Sequence, residues 1–247
     1  MVMRIDQYLV QHHGFTRNKA QQLIESCLVS IDAKICKKAS YDVWKNPIVT
    51  ILPDRRVDWV SRSAEKLIGF IETLQNPIDI LWTHCLDIGS STGWFTQVLL
   101  SLGAAHIDAV DVWTDQLHGS IRENIKVTSF EKMDIRDFAK QNIWKKYDII
   151  VCDASFISLC EIIDSIGMVA DSNTRIILLY KPQFEVWREN LRKTGIPKDS
   201  KIVEQKMREF DNFLVSKNIE ILVREKSTLV GEAGNQEWVY MVKKSFE

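Results

Sequence analysis

From about Arg62 onward the chain alternates short, almost wholly apolar runs with stretches of helical periodicity, and this alternation constrains its fold more than any other feature. The runs expected as strands cover residues 84–88, 107–112, 127–132, 147–153, 175–181 and 219–225. Strands that are apolar on both faces must be covered on both, which implies a parallel sheet between two layers of helices. The expected fold class is therefore α/β, with a Rossmann-like sheet over residues 59–247. Ligands of such sheets sit beyond the carboxyl ends of the strands, so the residues that close each run are the candidates for chemistry.

The first sixty residues follow a different pattern. Ile5, Leu9 and Val10 form one helical stripe, Gly14 interrupts it, and Thr16 opens a second that carries Ala20, Leu23, Ile24 and Leu28. Short alternating pieces follow at 29–31 and 48–51, with a turn signal at Asp32 and Ala33. A small α+β module ending between Pro53 and Asp58 is expected, which puts the domain boundary at 58/59. The net charge of −1 gives no sign of a nucleic-acid partner, but residues 1–60 hold nine basic and six acidic side chains, so the N-terminal quarter is the basic end.

The five cysteines form no CxxC or CxH spacing, and Cys85 and Cys152 lie within apolar runs. They read as buried free thiols of a reducing compartment, with no zinc site and no metal partner. No run approaches the roughly 18 apolar residues of a membrane span. The start carries Asp6, His12 and His13 where a secretory signal needs continuous apolar residues, so a cytoplasmic location without a membrane partner is expected.

The first run ends in Asp87-Ile-Gly89-Ser90-Ser91-Thr-Gly93. Glycines between a strand and a helix let backbone N–H groups approach a ligand closely, although a plain strand–turn–helix corner needs them too. The spacing lacks the paired glycines that cradle a pyrophosphate, which disfavours a nicotinamide reductase and suits an adenosyl cofactor without phosphate. Asp111 closes the second run, where an acid can accept from a ribose diol. Asp134 follows the third, at the position of an adenine contact or of a simple helix cap for Arg136. Asp153 closes the fourth run and Lys181 the fifth, so adjacent strands would place them side by side at the cofactor edge, either as catalytic groups or as a structural pair. A lysine after five apolar residues needs a partner, because an unpaired buried ammonium is costly.

Asp153-Ala-Ser-Phe-Ile-Ser-Leu159 and Lys181-Pro-Gln-Phe-Glu185, with Ser61-Arg-Ser-Ala-Glu-Lys-Leu67 before them and Gly231-Glu-Ala-Gly-Asn-Gln-Glu237 after, resemble the TlyA (haemolysin A) family of ribosomal RNA methyltransferases. Arg4-Ile-Asp6, Arg17-Asn-Lys-Ala20, Leu23-Ile24 and Val29 resemble an S4 RNA-binding domain, which that family carries. The resemblance implies an S-adenosylmethionine-dependent, FtsJ-like 2′-O-ribose methyltransferase acting on ribosomal RNA or ribosomal subunits. The substrate it implies is a cytidine of the large-subunit RNA, with the small subunit as a second target. Its Lys-Asp-Lys-Glu tetrad falls on Lys66, Asp153, Lys181 and Glu237. The candidate cofactor-binding positions are Asp87, Gly89, Ser90, Ser91, Gly93, Asp111, Asp134 and Asp153, and Arg4, Arg17, Lys19 and Arg62 are the candidate RNA contacts. The chain departs from the family at Ser63-Ala64, Trp94 and Cys27, where glycine is usual, at Asp32-Ala33, where Asn-Gly is usual, and at Lys193-Thr-Gly195, where the family has a longer glycine stretch.

A ribose hydroxyl must lose its proton as it attacks a methyl group, and a lysine can take that proton only from its neutral form. On this reading Lys181 is the base, Asp153 and Glu237 orient it, and Lys66 positions the ribose. Two other classes compete. A non-catalytic RNA-binding protein with a decayed methyltransferase fold would keep the N-terminal module and lose cofactor binding, whereas a pore-forming haemolysin would need a membrane-binding element of adequate length.

Overall fold

The computed structural model describes residues 3–13, 15–32, 34–44, 47–51, 59–61, 63–231 and 233–245. The expected RNA contact Arg62 lies outside the described residues, as do Gly14, Ala33, Glu232 and the charged residues Lys45, Asp54, Arg55, Arg56 and Asp58. The chain divides into two compact units, Met1–Trp59 and Val60–Glu247. Among the described residues, no helix is long and apolar enough to cross a membrane.

In the first unit, β1 (Met3–Arg4) leads into α1 (Ile5–His13) and α2 (Arg17–Glu25), followed by β2 (Val29–Ile31), β3 (Lys34–Ile35), β4 (Asp42–Val43) and β5 (Val49–Ile51). Thr16 starts α2 by accepting from the Lys19 backbone N–H at 3.3 Å, a side-chain N-cap. β2 sits between β3 and β5 in an antiparallel sheet, and β1 pairs with β4. Ile5, Leu9, Ala20, Leu23, Ile24, Val29 and Ile31 form the core with Cys36 and Val43. Val10 is exposed rather than part of the expected stripe, because the i, i+4 spacing that buries Ile5 and Leu9 turns it outward. Cys27 and Asp32 both adopt left-handed backbone conformations (φ +60° and +48°), where glycine or asparagine costs less.

The second unit runs α3 (Ala64–Thr73), β6 (His84–Ile88), α4 (Trp94–Ser101), β7 (His106–Val110), α5 (Gly119–Arg122), β8 (Val127–Phe130), α6 (Ile135–Gln141), β9 (Ile149–Cys152), α7 (Ile163–Met168), β10 (Arg175–Tyr180), α8 (Pro182–Glu185), α9 (Ser200–Ser216), β11 (Ile219–Lys226) and β12 (Trp238–Lys244). The seven strands lie in the order β11-β12-β10-β9-β6-β7-β8. The pairings from β10 through β9, β6 and β7 to β8 are parallel, and β12 is antiparallel to both neighbours. The α/β class holds, but the sheet has a seventh strand, because β12 enters as a hairpin return from β11 rather than through a helical crossover. Leu86, Ile150, Ile176, Leu178, Phe138, Ile166, Phe210 and Tyr240 are central to the core.

Strand order reverses between β6 and β9, which opens a crevice at their carboxyl ends. Most of the expected strands overran this edge. β7 stops at Val110, β8 at Phe130, β9 at Cys152 and β10 at Tyr180, so Asp111, Asp153 and Lys181 stand just beyond the ladder. Cys36, Cys85 and Cys152 are buried free thiols, whereas Cys27 and Cys160 are only partly covered.

Candidate active site

The turn after β6 forms one lip of the crevice. Gly89 has φ +74°, and its N–H donates to the Val110 carbonyl at 2.9 Å. A Cβ on Gly89 would lie 3.1 Å from the Ala154 backbone, so the turn after β9 can come this close only to a glycine. Gly93 (φ +92°) then starts α4, and its N–H donates to the Ser90 carbonyl at 2.7 Å. Asp111 fixes the tip of the turn by accepting from the Ser91 N–H at 2.8 Å with one oxygen, and from the Trp113 N–H at 2.8 Å with the other.

A cavity of about 250 Å³ opens above this turn, and Gly89, Ser91, Asp111, Asp134 and Asp153 line it together with Trp94, Trp113, Met133 and Phe156. Of the expected cofactor residues, Asp87, Ser90 and Gly93 do not line it and instead build its floor. Asp87 is fully buried and accepts from Thr96 Oγ1 at 2.6 Å with Oδ2, while its Oδ1 has no partner among the described residues. Burial pushes the Asp87 carboxyl up to about 7, the Thr96 hydrogen bond opposes this, and the charges of Asp153 and Asp111 add to it. Asp134 caps α6, accepting from the Arg136 N–H at 2.8 Å. The Arg136 side chain, donating through Nε and Nη2, holds the Asp134 carboxyl below its usual value. The helix-cap reading of Asp134 is thus realised at a residue that also faces the cavity.

The four tetrad residues are all buried, and they form two ion pairs. Lys181 Nζ lies 2.6 Å from Asp153 Oδ1 and donates to Ser155 Oγ at 2.7 Å and to the Asp153 carbonyl at 3.3 Å. The parallel register of β9 and β10 sets Lys181 opposite Ser155, two residues past Asp153, and the lysine side chain also reaches the Asp153 carboxylate. Lys66, in the first turn of α3, donates to Glu237 Oε2 at 2.7 Å. Glu237 therefore holds Lys66 rather than Lys181, which departs from the role expected of it as an orienter of the base. Gln183 Nε2 donates to Glu237 Oε1 at 3.4 Å, so the segment after Lys181 reaches the second pair. Glu185 ties that segment to the one after Asp153, accepting from Ser158 Oγ at 2.6 Å and from the Leu159 N–H at 2.9 Å.

Sequence reasoning noted Trp94 only as a departure from the family and gave no role to Trp94, Ser155 or Gln183. Ser155 and Gln183 were each two residues from a chosen charge, and the test that would have found them is which partners a buried lysine and glutamate need. Among the described residues no group of three or more His, Cys, Asp or Glu side chains could hold a metal ion. In the first unit, Arg17 is exposed, whereas the guanidinium of Arg4 donates to both oxygens of buried Asp6 at 3.1 and 2.8 Å.

The sequence pattern of the FtsJ-like methyltransferases matches residues 59–244, and that of the S4 domain matches residues 3–45. The chain is 38% identical to the 23S rRNA (cytidine-2′-O)-methyltransferase TlyA of Campylobacter jejuni, over 96% of its own length and 98% of that protein's. It is 36% identical to the 16S/23S rRNA (cytidine-2′-O)-methyltransferase TlyA of Mycobacterium tuberculosis, over 81% of its length and 74% of the relative's. A solved Streptococcus thermophilus structure described as a hemolysin superposes with a TM-score of 0.71 at 27% identity, covering 99% of this chain and 89% of that one. With matches over nearly its whole length, the chain belongs to the TlyA family of FtsJ-like, S-adenosylmethionine-dependent methyltransferases, with an S4 domain at its N-terminus.

Proposed function

We propose that this protein transfers a methyl group from S-adenosylmethionine to the 2′-hydroxyl of a cytidine ribose in ribosomal RNA, in the large subunit and, as a second target, the small one. The observation that carries this reading is the buried Lys181–Asp153 pair at the rim of a cavity that Asp153 itself lines. A ribosomal substrate supports a cytoplasmic location, and on this reading residues 1–58 act as the RNA-binding domain beside a catalytic domain spanning 59–247.

The cavity suits an adenosyl ligand. Gly89 lines the cavity where the turn after β9 packs against it, the carboxylate of Asp111 suits a ribose diol, and Asp134 stands at the rim for an adenine amine. Ser91 lines the same wall, while Asp87, Ser90 and Gly93 hold the turn from beneath. The cofactor, when bound, supplies an electrophilic methyl group on a sulfonium.

Lys181, in the neutral form reached once the ammonium has released a proton, accepts the proton of the 2′-hydroxyl at Nζ as the oxygen attacks. Asp153 Oδ1 and Ser155 Oγ, both already within 2.7 Å, then stabilise the ammonium so formed. Lys66, held by Glu237, directs its remaining N–H donors at the substrate ribose. Most of the acceleration comes from alignment of hydroxyl and methyl group, which requires rigid side chains rather than further chemistry. Arg17, Lys19, Arg4 and Arg62 provide phosphate contacts that position the RNA without reading its sequence.

Nucleosides digested from the ribosomal RNA of cells with and without the protein, compared by mass spectrometry, test the proposal. A 2′-O-methylcytidine should disappear with the protein and return with its expression. An unchanged nucleoside profile in both subunits would overturn it.

A further inference from the structure

Trp94 is the first residue of α4, immediately after the left-handed Gly93, and its side chain lines the cofactor cavity. Its indole Nε1–H donates to Asp153 Oδ2 at 3.0 Å. Asp153 follows β9 and Trp94 follows β6, so this hydrogen bond joins the two lips of the crevice. The other oxygen, Oδ1, faces Lys181 at 2.6 Å. One carboxylate thus links a wall of the cavity to the ammonium at its rim.

The last torsion of an aspartate side chain is broad and roughly two-fold, so the residue's own rotamer preference holds the carboxylate plane weakly. The contact with Lys181 attracts Oδ1 but sets the plane less sharply, because its short distance comes without hydrogen-bond alignment, and Lys181 directs hydrogen bonds to Ser155 Oγ and the Asp153 carbonyl. An indole N–H is a donor only and has one direction. Bonded to Oδ2, it sets the plane of the carboxylate and so determines which oxygen Lys181 meets. We propose that Trp94 is a positioning residue for the Asp153–Lys181 pair and, through its ring, a wall of the cofactor cavity, coupling cofactor occupancy to the geometry of the base. The proposal rests on the methyltransferase reading above and assigns a role to a residue at which the chain departs from the family's glycine.

Two substitutions separate the two parts of the residue. Trp94→Phe keeps an aromatic wall and removes the donor, whereas Trp94→Gly removes both. Binding of S-adenosylmethionine and S-adenosylhomocysteine to the full chain would be measured by calorimetry, and single-turnover methylation of ribosomal RNA would be followed across pH. Trp94→Phe should leave both cofactor Kd values within about threefold while slowing the methyl-transfer step roughly 10- to 100-fold, the range for loss of a hydrogen bond to a charged group, and its pH–rate profile should shift. Trp94→Gly should in addition weaken cofactor binding at least tenfold. A merely structural tryptophan would lower thermal stability and cofactor affinity together, with the rate and pH profile of the bound enzyme unchanged. That result, or a Trp94→Phe enzyme with the parent's single-turnover rate, overturns the inference. If the parent itself neither binds S-adenosylmethionine nor methylates RNA, the proposed function fails and the inference falls with it, an outcome distinct from an active parent and an unaffected variant.

Discussion

Replacing Asp87 by asparagine isolates the cost of keeping a carboxyl group under the cofactor turn. Asp87 is fully buried, Thr96 Oγ1 occupies one of its oxygens, and the other has no partner among the described residues. Its ionisation lies near 7 in the folded protein against 3.8 for an ordinary aspartate, mainly because burial disfavours the charged form. Between these two pH values the folded protein holds a proton that the unfolded chain has released. The stability contributed by the group is therefore fully present below about pH 4, falls as pH rises toward 7, and is constant above that. Three units at about 1.36 kcal/mol each make the total about 4 kcal/mol, of which about 3 kcal/mol is lost between pH 4.5 and 8.

Asparagine keeps an acceptor for Thr96 and cannot ionise, so it resembles the protonated acid. Its amide N–H groups also need acceptors, which adds a cost that does not vary with pH. The informative quantity is therefore the change with pH of the stability gap between variant and parent, since shared titrations cancel in that comparison. Urea unfolding of both proteins at pH 4.5 and pH 8, followed by far-ultraviolet circular dichroism, should show the variant gaining about 3 kcal/mol relative to the parent at the higher pH. A gap that is the same at both pH values to within about 0.5 kcal/mol would show that Asp87 ionises normally in the fold, and the burial argument would be wrong.

Lys181→Ala should abolish methyl transfer while cofactor titration and thermal melting stay close to the parent's, and residual activity within about tenfold of the parent would refute the assignment of the base. Glu237→Ala leaves the Lys66 ammonium buried without its carboxylate and should destabilise the protein by about 3–5 kcal/mol, whereas Lys66→Met combined with Glu237→Met should recover most of that loss. Thermal melts of the single and double variants check this, and additive losses would exclude coupling between the two residues. A Cβ at Gly231 would lie 2.6 Å from Glu237 Oε1, so Gly231→Ala should displace Glu237 and lower kcat with cofactor Kd unchanged, which single-turnover assays and calorimetry would read. Deleting residues 1–58 should spare cofactor binding, weaken RNA binding and flatten its salt dependence by about 0.7–0.9 log–log units per phosphate contact removed. An RNA titration across salt with the parent's slope would show that the anchor lies elsewhere.

The parts of this molecule legible in the sequence are those governed by local pattern. Apolar runs on both faces reveal β6, β7, β9 and β10 because a parallel strand is buried on both sides, and neighbouring parallel strands put Asp153 and Lys181 at the same edge, although the register sets Lys181 opposite Ser155, two residues past Asp153. Hydrophobicity does not mark the residue at which a strand leaves its ladder, so the expected ends overshoot to Asp111, Asp153 and Lys181, the residues that face the crevice. The run at Trp238–Val242 is as apolar as the others, but it returns by a hairpin, and a reading built on strand–helix alternation has no place for it. Pairings across the chain are harder still. Lys66 and Glu237 are 171 residues apart, and nothing local distinguishes Glu237 as the partner of Lys66 from a second orienter of Lys181. Trp94 shows why such pairings matter: compared with a glycine it reads as damage to a cofactor loop, whereas in the fold its N–H meets the carboxylate that pairs with Lys181. A departure from a family pattern thus has no chemical meaning until the atoms it faces are known, and here those atoms belong to Asp153.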